Sequence, residues 1–360
     1  MSQQTALPAW TIVAPVFAML ALLGVGMGLS GIYMVVVATA LIGGVLAAVH
    51  HAEVIAHRVG EPFGTLVLAL AITIIEVALI VSLMLAGGPE TAELARDTVF
   101  AAVMIILNGI IGLCLLVGGL RYKEQSFGLA GAGAALTTLT AICILTLVLP
   151  NYTVSESGGQ YSNSQLIFVA VISLVLYGSF VLVQTVRHRD YFLPPEAGND
   201  AETHAVPPTN KTAILSLLLL LVCLTGVVTL AKSLAPVIES GVAALNAPKT
   251  LVGVIIAAVV LLPEGLAAFR AARKDRIQTS LNLSLGSALA SIGLTIPAVA
   301  IVSIFTGITL TLGIDTKSMV LMILSLFTVM LSLATGKTNI LPGIVLLVIF
   351  AVYLFTTVVP

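Results

Sequence analysis

Charge is the scarcest thing in this sequence: 15 Lys and Arg and 16 Asp and Glu in 360 residues, 9% in all, against about 25% in an ordinary soluble domain. Aromatics are equally thin, at 6% with one Trp, and there are three Cys and five His. Each shortage excludes something. A net charge of -1 leaves no basic surface for nucleic acid. The hydrophilic residues are too few to build a soluble catalytic domain. Cys114, Cys143 and Cys223 each sit inside an apolar run, so they read as small packing residues rather than as disulfides or a metal cluster. What is abundant is apolar: 59% of the chain, with a mean hydropathy of +1.16. Runs of about twenty such residues follow one another almost to the last position, which is the signature of a chain folded in lipid.

Counting those runs predicts an all-α polytopic membrane protein of about eleven spans, near residues 8–28, 31–50, 63–87, 97–119, 127–149, 164–186, 212–232, 250–270, 279–305, 317–335 and 338–358. The first basic residue is Arg58, so the amino terminus does not read as a cleavable signal, and the first span is expected to stay. Loops on one side hold Arg58, Arg121, Lys123, Arg187, Arg189, Lys211, Arg270, Arg273, Lys274, Arg276 and Lys337, whereas the other side has Arg96, Lys232, Lys249 and Lys317. This 11 to 4 asymmetry puts the amino terminus in the cytoplasm and, for an odd number of spans, the carboxyl terminus outside.

Residues 187–211 contain Pro194, Pro195, Pro207, Pro208, Gly198 and Asn199 without apolar periodicity, and read as a cytoplasmic linker. The expected organisation is a leading helix (1–30), a five-helix repeat (31–186), the linker, and a second five-helix repeat (212–360). Two five-span units in series enter the membrane with opposite orientation, which makes the repeats inverted.

Two ionisable residues lie deep inside spans: Glu76 in GEPFGTLVLALAITIIEVALI and Glu264 in GVIIAAVVLLPEGLAAFRAARKDR. A lone charge there costs about 2.5 to 3.5 kcal/mol on insertion scales, so each needs a protein-lined or wet site. A carboxyl kept protonated for packing is the plainer alternative, but it leaves unexplained why one appears in the second helix of each half. Further oxygen donors surround them. The ninth span carries Ser280, Ser284, Ser287, Ser291 and Thr295 at steps of 4, 3, 4 and 4, a hydroxyl stripe on one helical face. Thr73 lies on the helix of Glu76, and Asn108 is mid-span beside Gly109 and Gly112. Small and hydroxyl residues also serve close helix packing in lipid, so both readings stand for each hydroxyl taken alone.

Pro263 has no N–H to offer the carbonyl of Val259, which is left as a free oxygen ligand. Carboxylate, carbonyl and hydroxyl oxygens suit hard cations such as Na⁺ or Ca²⁺. Burial favours the protonated form of a carboxyl group, so proton and cation compete for one site, the chemical basis of antiport. His50, His51 and His57 cluster with Glu53, Arg58 and Glu61. They read as a pH sensor at the cytoplasmic mouth or as an interfacial polar belt. No Walker loop, HExxH motif or Ser/His/Asp set is found in the spans, so ATP coupling and intramembrane enzyme chemistry are not expected.

The run from His57 through the Glu76 helix, the PEGLAAF segment and LNLSLGSALASIGLTIP resemble the ChaA-type bacterial branch of the calcium/cation antiporter superfamily, from about His50 to Thr338. The resemblance implies a secondary antiporter of the bacterial inner membrane that needs no cofactor. It would exchange Ca²⁺, or Na⁺ or K⁺, for protons, with Glu76 and Glu264 as the acidic residues of the two repeats. Where calcium/proton exchangers of the wider family carry Gly-Asn before each acid, this chain reads Ile72-Thr73 and Val260-Leu261, so the preferred cation stays open. A Na⁺/Ca²⁺ exchanger, another solute transporter of the same type and a cation channel remain as alternatives.

Overall fold

The computed structural model describes residues 7–60, 63–87, 91–193 and 208–359, and of 63–66, 68, 69, 86 and 87 the backbone alone. The expected positions Glu61, 194–207 and Pro360 lie outside the described residues. Among the described residues, nine helices are long and apolar enough to cross a membrane. A bent pair of helices brings the number to ten, and α3 (Phe63–Gly87) carries a shorter apolar stretch, Leu70–Leu85, in rough agreement with the eleven spans expected from hydropathy.

The chain forms two compact units, 1–86 with 201–246 and 87–200 with 247–360. Each draws elements from both sides of the linker. The first contains α1 (Ala9–Gly26), α2 (Tyr33–Val59), α3 and α8 (Asn210–Ala244). Helices α1, α2 and α8 pack together where small residues meet. A Cβ on Gly44 would lie 3.1 Å from the Val227 side chain and 3.9 Å from the Ala18 Cβ, and one on Gly226 would lie 3.4 Å from Ala18. In lipid, such close backbone approach replaces the hydrophobic drive that holds soluble helices together. The Tyr33 ring fills the space above Gly24 and its hydroxyl donates to the Ala21 carbonyl at 3.0 Å.

Two boundaries in this unit differ from the hydropathy reading. Helix α2 runs to Val59, and α8 continues through Pro236 to Ala244, well beyond residue 232. Apolar length marks how much helix lies in lipid; the backbone ladder has no reason to stop where the lipid does.

The second unit contains α4 (Leu94–Met104) and α5 (Ile111–Tyr122) joined by a π turn (Ile105–Ile110), α6 (Leu129–Cys143), α7 (Asn163–Leu182), α9 (Thr250–Val260), α10 (Leu262–Ala272), α11 (Ile277–Thr306), α12 (Thr316–Leu333) and α13 (Ile340–Val358). Helix α11 is its centre, packed against α4, the π turn, α5, α6, α7 and α10. A two-residue antiparallel pair, β1 (Gln125–Ser126) with β2 (Lys337–Thr338), ties two loops.

Three features of this unit were not expected. The span predicted as one helix over 250–270 is α9 and α10, bent by 55° at Leu261. The segment between α11 and α12 is a buried loop rather than a surface one, with Leu310, Leu312 and Ile314 at most 5% exposed. Its backbone is satisfied instead by Thr311 N–H to the Ala92 carbonyl, Gly313 N–H to that of Gly159 and Ile314 N–H to that of Leu147, which is what makes its burial tolerable. Finally, the first residues of the expected linker are docked. The short 3₁₀ turn Arg189–Phe192 is held by the Asn282 amide, which donates to the Phe192 carbonyl at 2.6 Å, and by an edge contact of Phe192 with Phe180.

Candidate functional site

Glu264 occupies the first turn of α10, with Pro263 just ahead of it and the break at Leu261 behind. Proline explains the local geometry. It cannot donate to Val259 and its ring crowds the preceding turn, so α9 ends and α10 starts afresh with proline in the one place where a missing N–H is harmless. The consequence is electrostatic. The carboxyl group sits at the positive end of a new helix dipole, worth about 0.3 to 1 kcal/mol to a negative charge and up to about 2 when partly buried. Glu264 is only 8% exposed, so the dipole acts where solvent screening is weak. Discontinuous spans that aim helix ends at a midplane site are a recurring device of inverted-repeat transporters.

Helix α10 packs on α11, α5 and the π turn, and Gly265 leaves room for the Ile110 side chain, which a Cβ would meet at 3.2 Å. The second unit therefore brings together the elements bearing Glu264, Asn108 and the hydroxyl stripe. Of that stripe, Ser280, Ser284, Ser291 and Thr295 are at most 2% exposed, and Ser287 is half-buried. The Ser284 hydroxyl donates to the Ser280 carbonyl at 2.9 Å, which leaves its oxygen lone pairs as acceptors only. Asn108 is fully buried in a π turn, a local widening of the helix frequently found at functional sites. Val259 is in the last turn of α9, next to the break.

Glu76 and Thr73 belong to the first unit. They are 4% and 3% exposed and lie three residues apart, on one face of α3. The three histidines are also in this unit and have different surroundings. His51 is fully buried, its Nε2 donating to the Thr11 carbonyl at 3.0 Å. The His50 ring lies 5.6 Å from that of Trp10. His57 is exposed. Among the described residues no three of His, Cys, Asp and Glu gather as a metal cluster.

Two features escaped the sequence reading. Ser325 of α12 is fully buried against Asn108; a single hydroxyl in an apolar run carries no signal of its partner. A cavity of about 360 Å³ is lined by Glu93, Arg96, Asp97, Asp315, Lys317 and Tyr353. Arg96 pairs with two of the carboxylates, reaching Glu93 at 3.0 Å and Asp97 at 2.9 Å, and donates to the Gly313 carbonyl at 3.0 Å, while Lys317 holds the Thr356 carbonyl at 2.7 Å. This network pins loop to helix.

The sequence profile of the sodium/calcium exchanger protein family matches residues 29–186 and 215–359. The chain is 47% identical to y4hA of Sinorhizobium fredii, whose name proposes an ionic transporter, over 98% of its own length and 97% of that protein. It is 35% identical to the sodium-potassium/proton antiporter ChaA of Escherichia coli, over 88% and 86% of the two chains. The crystal structure of the Ca²⁺/H⁺ antiporter YfkE matches 98% of this chain and 99% of its own with a TM-score of 0.72 at 20% identity, a likeness of fold. Profile, identity and fold agree along nearly the whole length: the chain belongs to the sodium/calcium exchanger protein family.

Proposed function

We propose that this protein is a secondary cation/proton antiporter of the bacterial inner membrane, moving Ca²⁺, Na⁺ or K⁺ against protons by alternating access. The observation that carries the reading is Glu264, a buried carboxyl group at the start of a half-helix inside a broken span. The antiport activity named for the 35% identical relative supports it. Glu76 and Glu264 are the shared binding groups for cation and proton, with Thr73, Asn108, Ser284, Ser287, Ser291 and the Val259 carbonyl as supporting ligands or pathway. Two carboxylates carry -2 when ionised. One divalent cation or two protons neutralise them, so a dehydrated, loaded site carries little net charge while access alternates. A doubly ionised empty site resists the same transition, and exchange is thereby enforced.

Purified protein in vesicles carrying an imposed proton gradient tests this directly. Addition of Ca²⁺, Na⁺ or K⁺, each alone, is expected to collapse the gradient for at least one of them. Cation exchange with no proton movement would replace the proposal with a Na⁺/Ca²⁺ exchanger.

The charge asymmetry of the loops supports a cytoplasmic 187–211 linker and an external carboxyl terminus. Single cysteines at Ala205 and Val359 in a Cys-free background are expected to react with impermeant maleimide from opposite sides of the membrane. Labelling of both from one side would reject this orientation.

A further inference from the structure

The amide of Asn108 can be oriented in only one way. Its Nδ2 lies 3.3 Å from the Met104 carbonyl and 2.9 Å from the Ser325 hydroxyl oxygen. The hydroxyl hydrogen of Ser325 is directed at the Leu321 carbonyl, 2.7 Å away, so toward Asn108 this oxygen can only accept. Two acceptors on one side demand the NH₂ group there. The amide oxygen must therefore face the other way. That atom, Oδ1, is buried and has no hydrogen-bond partner among the described residues. An unpaired amide oxygen away from water forfeits its hydration without return, and a buried group left in this state calls for a partner that comes and goes. The π turn that carries it packs against α10, whose first turn holds Glu264, and against α11 with its hydroxyls.

We propose that Ser325, which lies outside the ligand set given above, is the positioning residue of the cation site. By accepting from Nδ2 while its own proton is spent on Leu321, it locks the Asn108 amide with its oxygen presented to the transported cation. The proposal rests on the reading of this chain as a cation/proton antiporter with Asn108 among its ligands. Ser325 itself touches no cation. Its role is to prevent the amide from turning its NH₂ group toward a positive ion.

The test uses full-length wild type, Ser325→Ala, Ser325→Thr, Asn108→Ala and the Ser325→Ala/Asn108→Ala double variant. Two readouts are taken with Ca²⁺, Na⁺ and K⁺ separately: KM and maximal rate of proton-coupled exchange in vesicles, and the cation concentration that half-maximally raises the Tm of the purified protein. Ser325→Ala is expected to raise KM and the half-stabilising concentration about three- to tenfold, the net worth of one hydrogen bond. Maximal rate should stay near wild type and cation-free Tm should fall by no more than the loss of that one hydrogen bond implies, whereas a merely structural serine would lower Tm and leave the cation dependence unchanged. Ser325→Thr, which keeps the hydroxyl, is expected to restore the wild-type values. If its extra methyl unfolds the chain, the double variant decides: in the Asn108→Ala background, Ser325→Ala should have no further effect. Unchanged cation affinity in Ser325→Ala, or an equal effect in the double variant, overturns the proposal. Failure of the wild type to move protons would instead strike at the antiport reading, and the Tm readout would still judge the role of Ser325.

Discussion

Glu76→Gln and Glu264→Gln are each expected to reduce proton-coupled cation exchange by at least about 100-fold, the equivalent of roughly 2.8 kcal/mol, while the protein still folds and inserts. Glutamine keeps the shape and polarity of the side chain and removes one ionisation. The remaining carboxylate can be neutralised by one proton or one monovalent cation, but the pair can no longer trade two protons for a divalent ion. Both residues are at most 8% exposed, so bulk counterions cannot easily make good the missing charge. Folding should survive, because a neutral amide is easier to bury than a carboxylate. For Glu264 the helix start adds to the expected effect: the dipole of α10 favours a negative charge at this position, and the proposed mechanism uses that charge to hold the cation. The check is exchange rate in vesicles alongside Tm and elution profile in detergent. A monodisperse variant that exchanged at near wild-type rate would remove the two-carboxylate mechanism. On the proposed sharing of one set of oxygens by protons and cations, the apparent cation KM of the wild type should also rise as pH falls.

Gly343→Val is expected to have the largest effect on stability, preventing recovery of a monodisperse protein. Helices α5 and α13 meet along Gly112, Gly119 and Gly343. A Cβ on Gly343 would run into the Leu116 backbone nitrogen and lie 2.8 Å from the Gly112 carbonyl oxygen; one on Gly119 would lie 2.7 Å from the Ile340 Cα. These are backbone atoms, so no rotamer change relieves the clash and the helices must separate. Overpacking of a core typically costs about 1 to 3 kcal/mol, occasionally more, and separation here forfeits contacts along the whole seam. In lipid that contact surface is the chief source of helix association. Gly133→Ala is the control. It lies within α6, with nothing within 4 Å of the place its methyl group would take, and is expected to be neutral or stabilising by up to about 1 kcal/mol through helix propensity. Thermal unfolding followed by size exclusion would separate the two outcomes, and a Gly343→Val protein as stable as wild type would show that the seam is not as close as described.

Much of this protein is legible in its sequence, because lipid imposes one-dimensional rules. A span needs enough apolar residues to cross, and a charge inside it needs a reason. Those rules suffice for an approximate number of spanning elements and for the singling out of Glu76 and Glu264, which the fold then buries. The hydroxyl periodicity of 280–295 likewise belongs to one helix, so its common face could be read without knowing what it meets. Tertiary structure decided the rest. Pro263 marks where the helix is interrupted but not how far or in which direction it bends, since neighbouring groups in a membrane protein can satisfy freed backbone atoms; the 55° bend at Leu261 goes with α9 packing on α4 while α10 packs on α11. The short segment 308–315, where apolar and polar residues alternate, looks like an ordinary loop until Ala92, Gly159 and Leu147 supply its hydrogen bonds. Asn108 and Ser325 are 217 residues apart, and no local pattern in either stretch announces the other. Span count and charge placement follow from the transfer energy of each segment taken alone, whereas the direction in which a buried amide points depends on which distant acceptors the fold sets beside it.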